Sequence, residues 1–582
     1  MAGLPGHQQL RETGVEFKTH YTASCACTPS RACLYTGHYP SLHGISQTYG
    51  GAKAADDPRL VWLQAGTFPT LGDYFRSAGY ETLYFGKWHL SHEDLFEDDT
   101  GFVYQARDPA TRERYQREDP LGKFGFTGWM GPDPHGPGIG NSGWQRDKGF
   151  ANQFIEFLDA RERRAASASS GEGQEGPLKP FLAVINLVNP HDIVHFPFWL
   201  NHGLPTTDGT VPDIDPPPTH REDLSTKPST QLSYRRQYSK LFFPDLFQAQ
   251  YRQLYYFLHK VVDAHIARIY TRLASSRWFS STYTVLTSDH GDLLGAHGGL
   301  RQKWYNAYEE SLHVPFIISH PNVRPGTFSL PTSSVDLIPT LLGLAGLDQA
   351  PLRDILRQTH SEVYPLVGAN LSPLVLGSQE DEAWRDMAVY SQIEDHVTQG
   401  DVQVFIGARG KASLLLVHHF EHDSVEGPTS IEAVIQRVGG RLWKLVRYWD
   451  NPELWTHPSM KNEEVLREGH VRRGTLRVRT VPLPDELELY CLSDDPIESR
   501  NLAVDDSPET ATVRTHLFRV LADEREKKGL RRQGEPLPKP PHKRLPEYQT
   551  NSQKEDSLRL SVVKILGFPD PDPKKPLPYS KI

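Results

Sequence analysis

The chain has little cysteine and no long apolar run. Four of its 582 residues are cysteines. Three of these, Cys25, Cys27 and Cys33, crowd into one short stretch, which excludes a disulfide-stapled scaffold. No apolar run approaches the roughly 18 to 20 residues that span a bilayer, so no membrane span is expected. The opening MAGLPGH lacks the apolar core of a leader, and on its face the protein is expected to be cytoplasmic. Neither sign of charge dominates. The net charge of −9 is small for this length and no block of Lys/Arg or Asp/Glu occurs, so no nucleic-acid partner is expected. Size alone suggests roughly three or four domains.

What is present centres on Cys27-Thr28-Pro29-Ser30-Arg31-Ala32-Cys33-Leu34-Tyr35-Thr36-Gly37. Pro29 suits the first turn of a helix and Gly37 suits its terminator, so the stretch reads as a short helix with Cys27 at its mouth. Arg31 lies one turn below on the same face, and the helix amino terminus adds partial positive charge, which makes an anion site holding a nucleophile. Spacing by itself leaves this open against a buried small cysteine beside a surface arginine. The full string resembles the first signature of the sulfatase family, Cys-x-Pro-Ser-Arg-x-x-x-x-Thr-Gly. That resemblance implies a cysteine, here Cys27, oxidised by a maturation enzyme to formylglycine, whose hydrate attacks sulfur to give a sulfated intermediate.

Further along, helical periodicity over 68–78 closes at Gly79, and 81–85 reads as a strand running into Gly86-Lys87-Trp88-His89. Lys87 and His89 share a face if this stretch is extended. The string resembles the second sulfatase signature. Residues 101–150 read as a loop excursion walling a pocket, 150–164 as a charged helix and 165–177 as a mobile surface loop. The apolar run 181–187 reads as a strand buried on both faces, with His191 just beyond its carboxyl end, where open α/β sheets put ligands. A long helix over 244–275 precedes a second buried strand, 283–287, which empties into Ser288-Asp289-His290-Gly291-Asp292. A strand over 313–319 and a helix over 335–345 follow.

This alternation predicts an α/β domain with a doubly wound, mostly parallel sheet flanked by helices. From about residue 384 short alternating strands predict a smaller antiparallel α+β subdomain, with strands at 387–392, 402–406, 412–417, 442–447 and 487–492. The expected division is a catalytic domain over 1–383, the subdomain over 384–505, and a helix with a Pro/Lys-rich tail over 506–582. The resemblance covers roughly residues 8–100, 180–192, 283–346 and 485–503, and its fold is the alkaline-phosphatase-like one.

The resemblance also assigns roles. Arg31 and Lys87 stabilise and orient the nucleophile at Cys27, His89 takes a proton from it, and His191 serves the leaving-group oxygen. Lys303, which precedes Tyr308-Glu309-Glu310, binds sulfate. Asp289 and His290, with the Cys27-derived oxygen, form part of a divalent metal site. Calcium is the expected ion, and the imidazole leaves room for manganese. The substrate class is a sulfated small molecule or carbohydrate. Family members begin with an apolar strand ending in two aspartates that complete the metal shell, whereas here no aspartate precedes Asp56. The expectation is a chain truncated at its amino terminus, in which case secretion stays open. The alternatives are a phosphonate monoester or phosphodiester hydrolase of the same superfamily and a catalytically silent sulfatase-like binding protein.

Overall fold

The computed structural model describes residues 3–49, 60–95 except 92 and 94, 109–134, 141–169, 178–196, 199, 211–241, 247–377, 384, 386–395, 403–404, 419–420, 425–451 and 482–530. In chain order its main elements begin with α1 (Pro5–Glu12), β1 (Gly14–Tyr21), α2 (Cys27–Thr36), α3 (Leu71–Ser77) and β2 (Glu81–Gly86). Next come α4 (Pro109–Glu118), α5 (Gly143–Ser169), β3 (Phe181–Asn186), α6 (Ser229–Leu241) and α7 (Gln248–Ala274). The first domain closes with β4 (Thr284–Thr287), β5 (Phe316–Ser319), β6 (Gly326–Ser333) and α8 (Leu337–Leu344).

β1 alternates Val15 and Phe17 into the core, where Phe17 meets Phe316 with ring centroids 5.2 Å apart. It runs antiparallel to β5 and parallel to β6, and β5 runs antiparallel to β4. β2 and β3 form a separate parallel pair. The layered α/β architecture is as expected, but the sheet is mixed, because β5 runs against both neighbours. The span 101–150, expected as a loop, contains the ten-residue α4. Its buried Thr111 and Tyr115 lie four apart on one face, a stripe too narrow to show as periodicity among charged neighbours. The helix expected at 150–164 runs from Gly143 to Ser169, and residues 170–177 of the expected surface loop lie outside the described residues.

The two strands expected to be buried are covered on both faces but not fully buried. Every residue of β3 and of β4 is only half buried. Both faces are covered: Leu182, Val184 and Val285 pack on the main core, and Ala183, Ile185 and Leu286 on satellite cores. The exposure is at an edge. Among the described residues β3 pairs only with β2 and β4 only with β5, so each presents unpaired backbone on its other side. One nitrogen of the Arg31 guanidinium lies 3.4 Å from Asn186 Oδ1 at the end of β3 and 3.0 Å from Asp289 Oδ2 just past β4. The carboxyl ends of the two strands therefore flank a single side chain.

The carboxyl-terminal sheet holds β7 (Ala388–Ile393), β8 (Ser430–Val438), β9 (Arg441–Trp449) and β10 (Glu486–Cys491) in the order β10-β9-β8-β7, all antiparallel. α9 (Pro508–Lys528) covers one face with Val513, Leu517 and Leu521. β8 was not anticipated: buried Glu432 interrupts its apolar pattern and pairs with Arg447 and Arg525. β6 was also missed, since Pro331 and its exposed first half hide a strand signal. Of the strands expected at 402–406 and 412–417, Gln403–Val404 pairs with His419–Phe420, and 412–417 lies outside the described residues, as does the tail beyond 530. None of the described helices is long and apolar enough to cross a membrane.

Candidate active site

α2 forms as its sequence requires. Gly37 closes it in the left-handed conformation at φ 72° and donates its N–H to the Cys33 carbonyl. All ten residues are buried, and Cys27 sits at the amino terminus with 2% of its surface exposed. Ser30 Oγ binds the Asp289 carbonyl, which ties the helix to the segment after β4.

Around the Cys27 sulfur the fold collects residues distant in sequence. Lys87 Nζ lies 3.6 Å away, Lys303 Nζ 3.7 Å and His290 Nε2 3.2 Å. Burial alone would raise the thiol pKa, but Lys303, Lys87 and His290, with a hydrogen bond from His191, hold it well below the ordinary value. Burial lowers the Lys87 pKa, while Lys303, also buried, is raised by the anions Cys27, Asp292 and Asp289. His191 is pushed well below the usual imidazole value by burial and then by Lys87, so its ring is neutral at pH 7. His290 Nδ1 donates to the Gly291 carbonyl at 2.8 Å, which turns Nε2 toward Cys27.

Two expected placements differ in detail. Arg31 spends its guanidinium on Asp289 Oδ2 at 3.0 Å and on the Lys87 carbonyl at 3.0 Å, so it organises the pocket wall. Despite burial, His290 and Arg31 keep Asp289 well below the usual carboxylate range. Lys87 and His89 do not share the face of an extended strand. Gly86 at φ 106° and His89 at φ 57° break the extension directly after β2. The buried His89 ring instead meets Tyr49 at 5.9 Å.

Cys27, Asp289 and His290 offer one sulfur, one carboxylate and one imidazole within 4.8 Å of one another. Calcium takes six to eight oxygens, so this donor set by itself does not make a calcium site. It is closer to the mixed preferences of a softer divalent ion.

The loop carrying His290 and Lys303 rests on a buried ionic network that sequence reasoning did not reveal. Lys444 on β9 contacts Glu309 at 2.8 Å, Glu498 at 2.7 Å and the Ala307 carbonyl at 2.8 Å. Glu498 also accepts the Glu309 backbone N–H at 2.7 Å. His297 lies between Glu222, 2.8 Å away, and Glu310, 3.3 Å away, and stacks on Tyr308. Burial opposes the His297 charge, but its bonds to Glu222 and Glu310 raise its pKa to about 9.

A histidine raised above its unfolded value of about 6.5 adds stability that is complete below that pH and lost as pH climbs through 9. Unfolding in urea at about pH 6 and about pH 9.5 is expected to show a loss on the order of 3 kcal/mol from this group. His297→Gln is expected to remove that slope. An unchanged slope in the variant means the pH dependence arises elsewhere.

An α/β domain with a reactive side chain at a helix amino terminus, ringed by cations at the carboxyl ends of strands, is the architecture of the alkaline-phosphatase-like hydrolases. A solved 2-O GAG sulfatase superimposes with TM-score 0.56 at 20% identity, covering 90% of this chain and 86% of that one. The phosphonate monoester hydrolase of Silicibacter pomeroyi superimposes with TM-score 0.51 at 19% identity, covering 90% of both chains. The family model Sulfatase matches residues 3–347, and the chain belongs to the sulfatase family. The choline-sulfatase of Rhizobium meliloti (strain 1021) is 26% identical over 404 residues, 65% of this chain and 68% of that one. The first curated relatives are covered over 62% to 68% of their length.

Proposed function

We propose that the chain hydrolyses a sulfate monoester of a small molecule or carbohydrate at the Cys27 pocket. The observation that carries this reading is the Cys27 side chain at the mouth of α2 with Lys87, Lys303 and His290 within 3.7 Å. Converted to formylglycine by a maturation enzyme, residue 27 would supply an oxygen nucleophile for sulfur. Lys87 and Lys303 hold the sulfuryl oxygens in a buried site where their charge is poorly screened. Arg31 fixes Asp289, and His89 accepts a proton from the group at residue 27. His191, being neutral, serves the leaving-group oxygen by donating an N–H hydrogen bond.

A divalent ion would be held by Asp289 and His290 and would supply positive charge to the sulfuryl group, and its further oxygens would have to come from outside the described residues. Such oxygens would complete a calcium shell, and without them manganese suits the imidazole better.

The test uses protein from its native host. The tryptic peptide carrying Cys27 is expected to be lighter by about 18 Da, the arithmetic of thiol to aldehyde. The same protein is expected to hold one divalent ion. Unmodified cysteine from a host that matures other sulfatases overturns the reading in favour of a silent binding protein. The imidazole at His290 favours one second reading, a phosphonate monoester or phosphodiester hydrolase. Faster turnover of an aryl phosphonate monoester than of an aryl sulfate would select it.

A further inference from the structure

The loops that carry His89 and His191 leave the carboxyl ends of the parallel strands β2 and β3, far apart in sequence, and two neighbouring stretches, residues 130–134 and 141–147, grip both. Asp133, 5% exposed, accepts the Trp88 N–H on Oδ1 at 3.1 Å and the His89 N–H on Oδ2. Those amides belong to the turn in which His89 takes its left-handed conformation, which a non-glycine residue holds only when its surroundings enforce it. Asp147, fully buried in the first turns of α5, accepts the Val188 N–H at 2.7 Å and the Asn189 N–H at 3.0 Å, directly before His191. Asp192 returns the grip, accepting the Gly143 and Trp144 N–H groups at 2.9 and 2.7 Å.

The two grips are joined. Arg146, next to Asp147, donates to the Met130 and Pro132 carbonyls, each at 3.3 Å, and to Asn141 Oδ1. Asn141 Nδ2 in turn donates to the Asp133 carbonyl at 2.8 Å. Each carboxylate thus spends both oxygens on backbone N–H groups at or just before one of the two candidate histidines, His89 and His191. Where the carboxylate is ionised such bonds are about twice as strong as neutral ones, and burial pushes the Asp147 pKa up to about 7.

We propose that Asp133 and Asp147 are positioning residues that act through His89 and His191, and that residues 130–134 and 141–147, tied together through Arg146 and Asn141, form a brace setting the separation of those two imidazoles. The inference rests on the sulfatase reading for its kinetic consequence but not for its structural one. A small misplacement of a reacting group can cost about 100-fold in rate. Asp133→Asn keeps the shape, loses the charge and retains one acceptor oxygen for two donors.

The experiment is a double-mutant cycle with an aryl sulfate, with amide hydrogen exchange run on the same proteins. Asp133→Asn is expected to lower kcat roughly 10- to 100-fold with little change in KM. In a His89→Ala background the same substitution is expected to have no further effect. Exchange at Trp88 and His89 is expected to quicken whether or not the protein turns over substrate. Asp147→Asn is read in the same way against His191→Ala and the amides of Val188 and Asn189.

A full Asp133→Asn effect that persists in His89→Ala overturns the positioning role and leaves a merely structural one. Unchanged exchange at 88 and 89 overturns the brace itself. Quickened exchange in a chain with no wild-type turnover keeps the brace and counts against the sulfatase reading. If Asp133→Asn does not fold, Asn141→Ala, which removes the bond to the Asp133 carbonyl, is expected to shift both readouts in the same direction by a smaller amount, and no shift overturns the proposal.

Discussion

Cys27→Ala is expected to reduce aryl sulfate turnover by about 10⁴-fold or more while the protein stays folded, because removal of a covalent nucleophile forfeits the pathway itself. The side chain is small and Ala fits its space, so packing changes little. The electrostatic balance changes more. The Cys27 anion supports the charge on Lys87 against burial and raises the Lys303 pKa. Measured against the unconverted chain, Cys27→Ala therefore leaves two buried ammonium groups with one counter-charge fewer, and the Lys87 pKa is expected to fall further. The check is steady-state turnover of an aryl sulfate beside the circular dichroism of both proteins. Activity within tenfold of wild type in a folded Cys27→Ala protein would sink the assignment of the nucleophile. Cys27→Ser is expected to be equally inactive in a host whose maturation enzyme converts only cysteine.

Lys444→Met is expected to cost about 3–5 kcal/mol of stability, the usual penalty for removing one partner of a buried ion pair. Lys444 is fully buried, and without it the carboxylates of Glu309 and Glu498 lose their cation in a low-dielectric interior. Burial already raises the Glu498 pKa to about 8 even with Lys444 beside it. In the variant Glu498 can shed its charge by binding a proton, so the penalty should be smaller near pH 6 and larger near pH 9. Urea unfolding at both pH values measures this. A cost below about 1 kcal/mol at both would mean that the loop carrying Lys303 does not rest on this network. Because Glu309 follows Lys303 closely in the chain, the same variant should also weaken substrate binding, read as a rise in KM.

How much was legible in the sequence can be judged residue by residue. The helix from Cys27, its stop at Gly37 and the positions of His191 and Asp289 after apolar strands were readable, because each depends on neighbours in the chain: a proline in the first turn, a left-handed glycine, an apolar run ending in polar residues. The α/β class and the antiparallel carboxyl-terminal sheet followed from the same local periodicities. The bend at His89 was not readable, since nothing local demands φ 57° there and the carboxylate that holds it comes from Asp133, 44 residues on. β8 was hidden by Glu432, whose charge is answered by Arg525, 93 residues away. The mixed sheet was missed because the direction of a short apolar strand such as β5 leaves no trace in its composition.

By itself, then, the sequence determined the short-range events: which stretches coil, which extend, where they stop, and which chemically able residues stand at their ends. Only the tertiary structure decided that Lys87, Lys303, His191 and His290 converge on one sulfur, that Arg31 belongs to Asp289, and that among the described residues β3 and β4 each keep an unpaired edge. The reason is physical. Local propensity acts over a few bonds, whereas Coulomb interactions in a buried pocket and strand pairing act between segments that chain folding alone brings together.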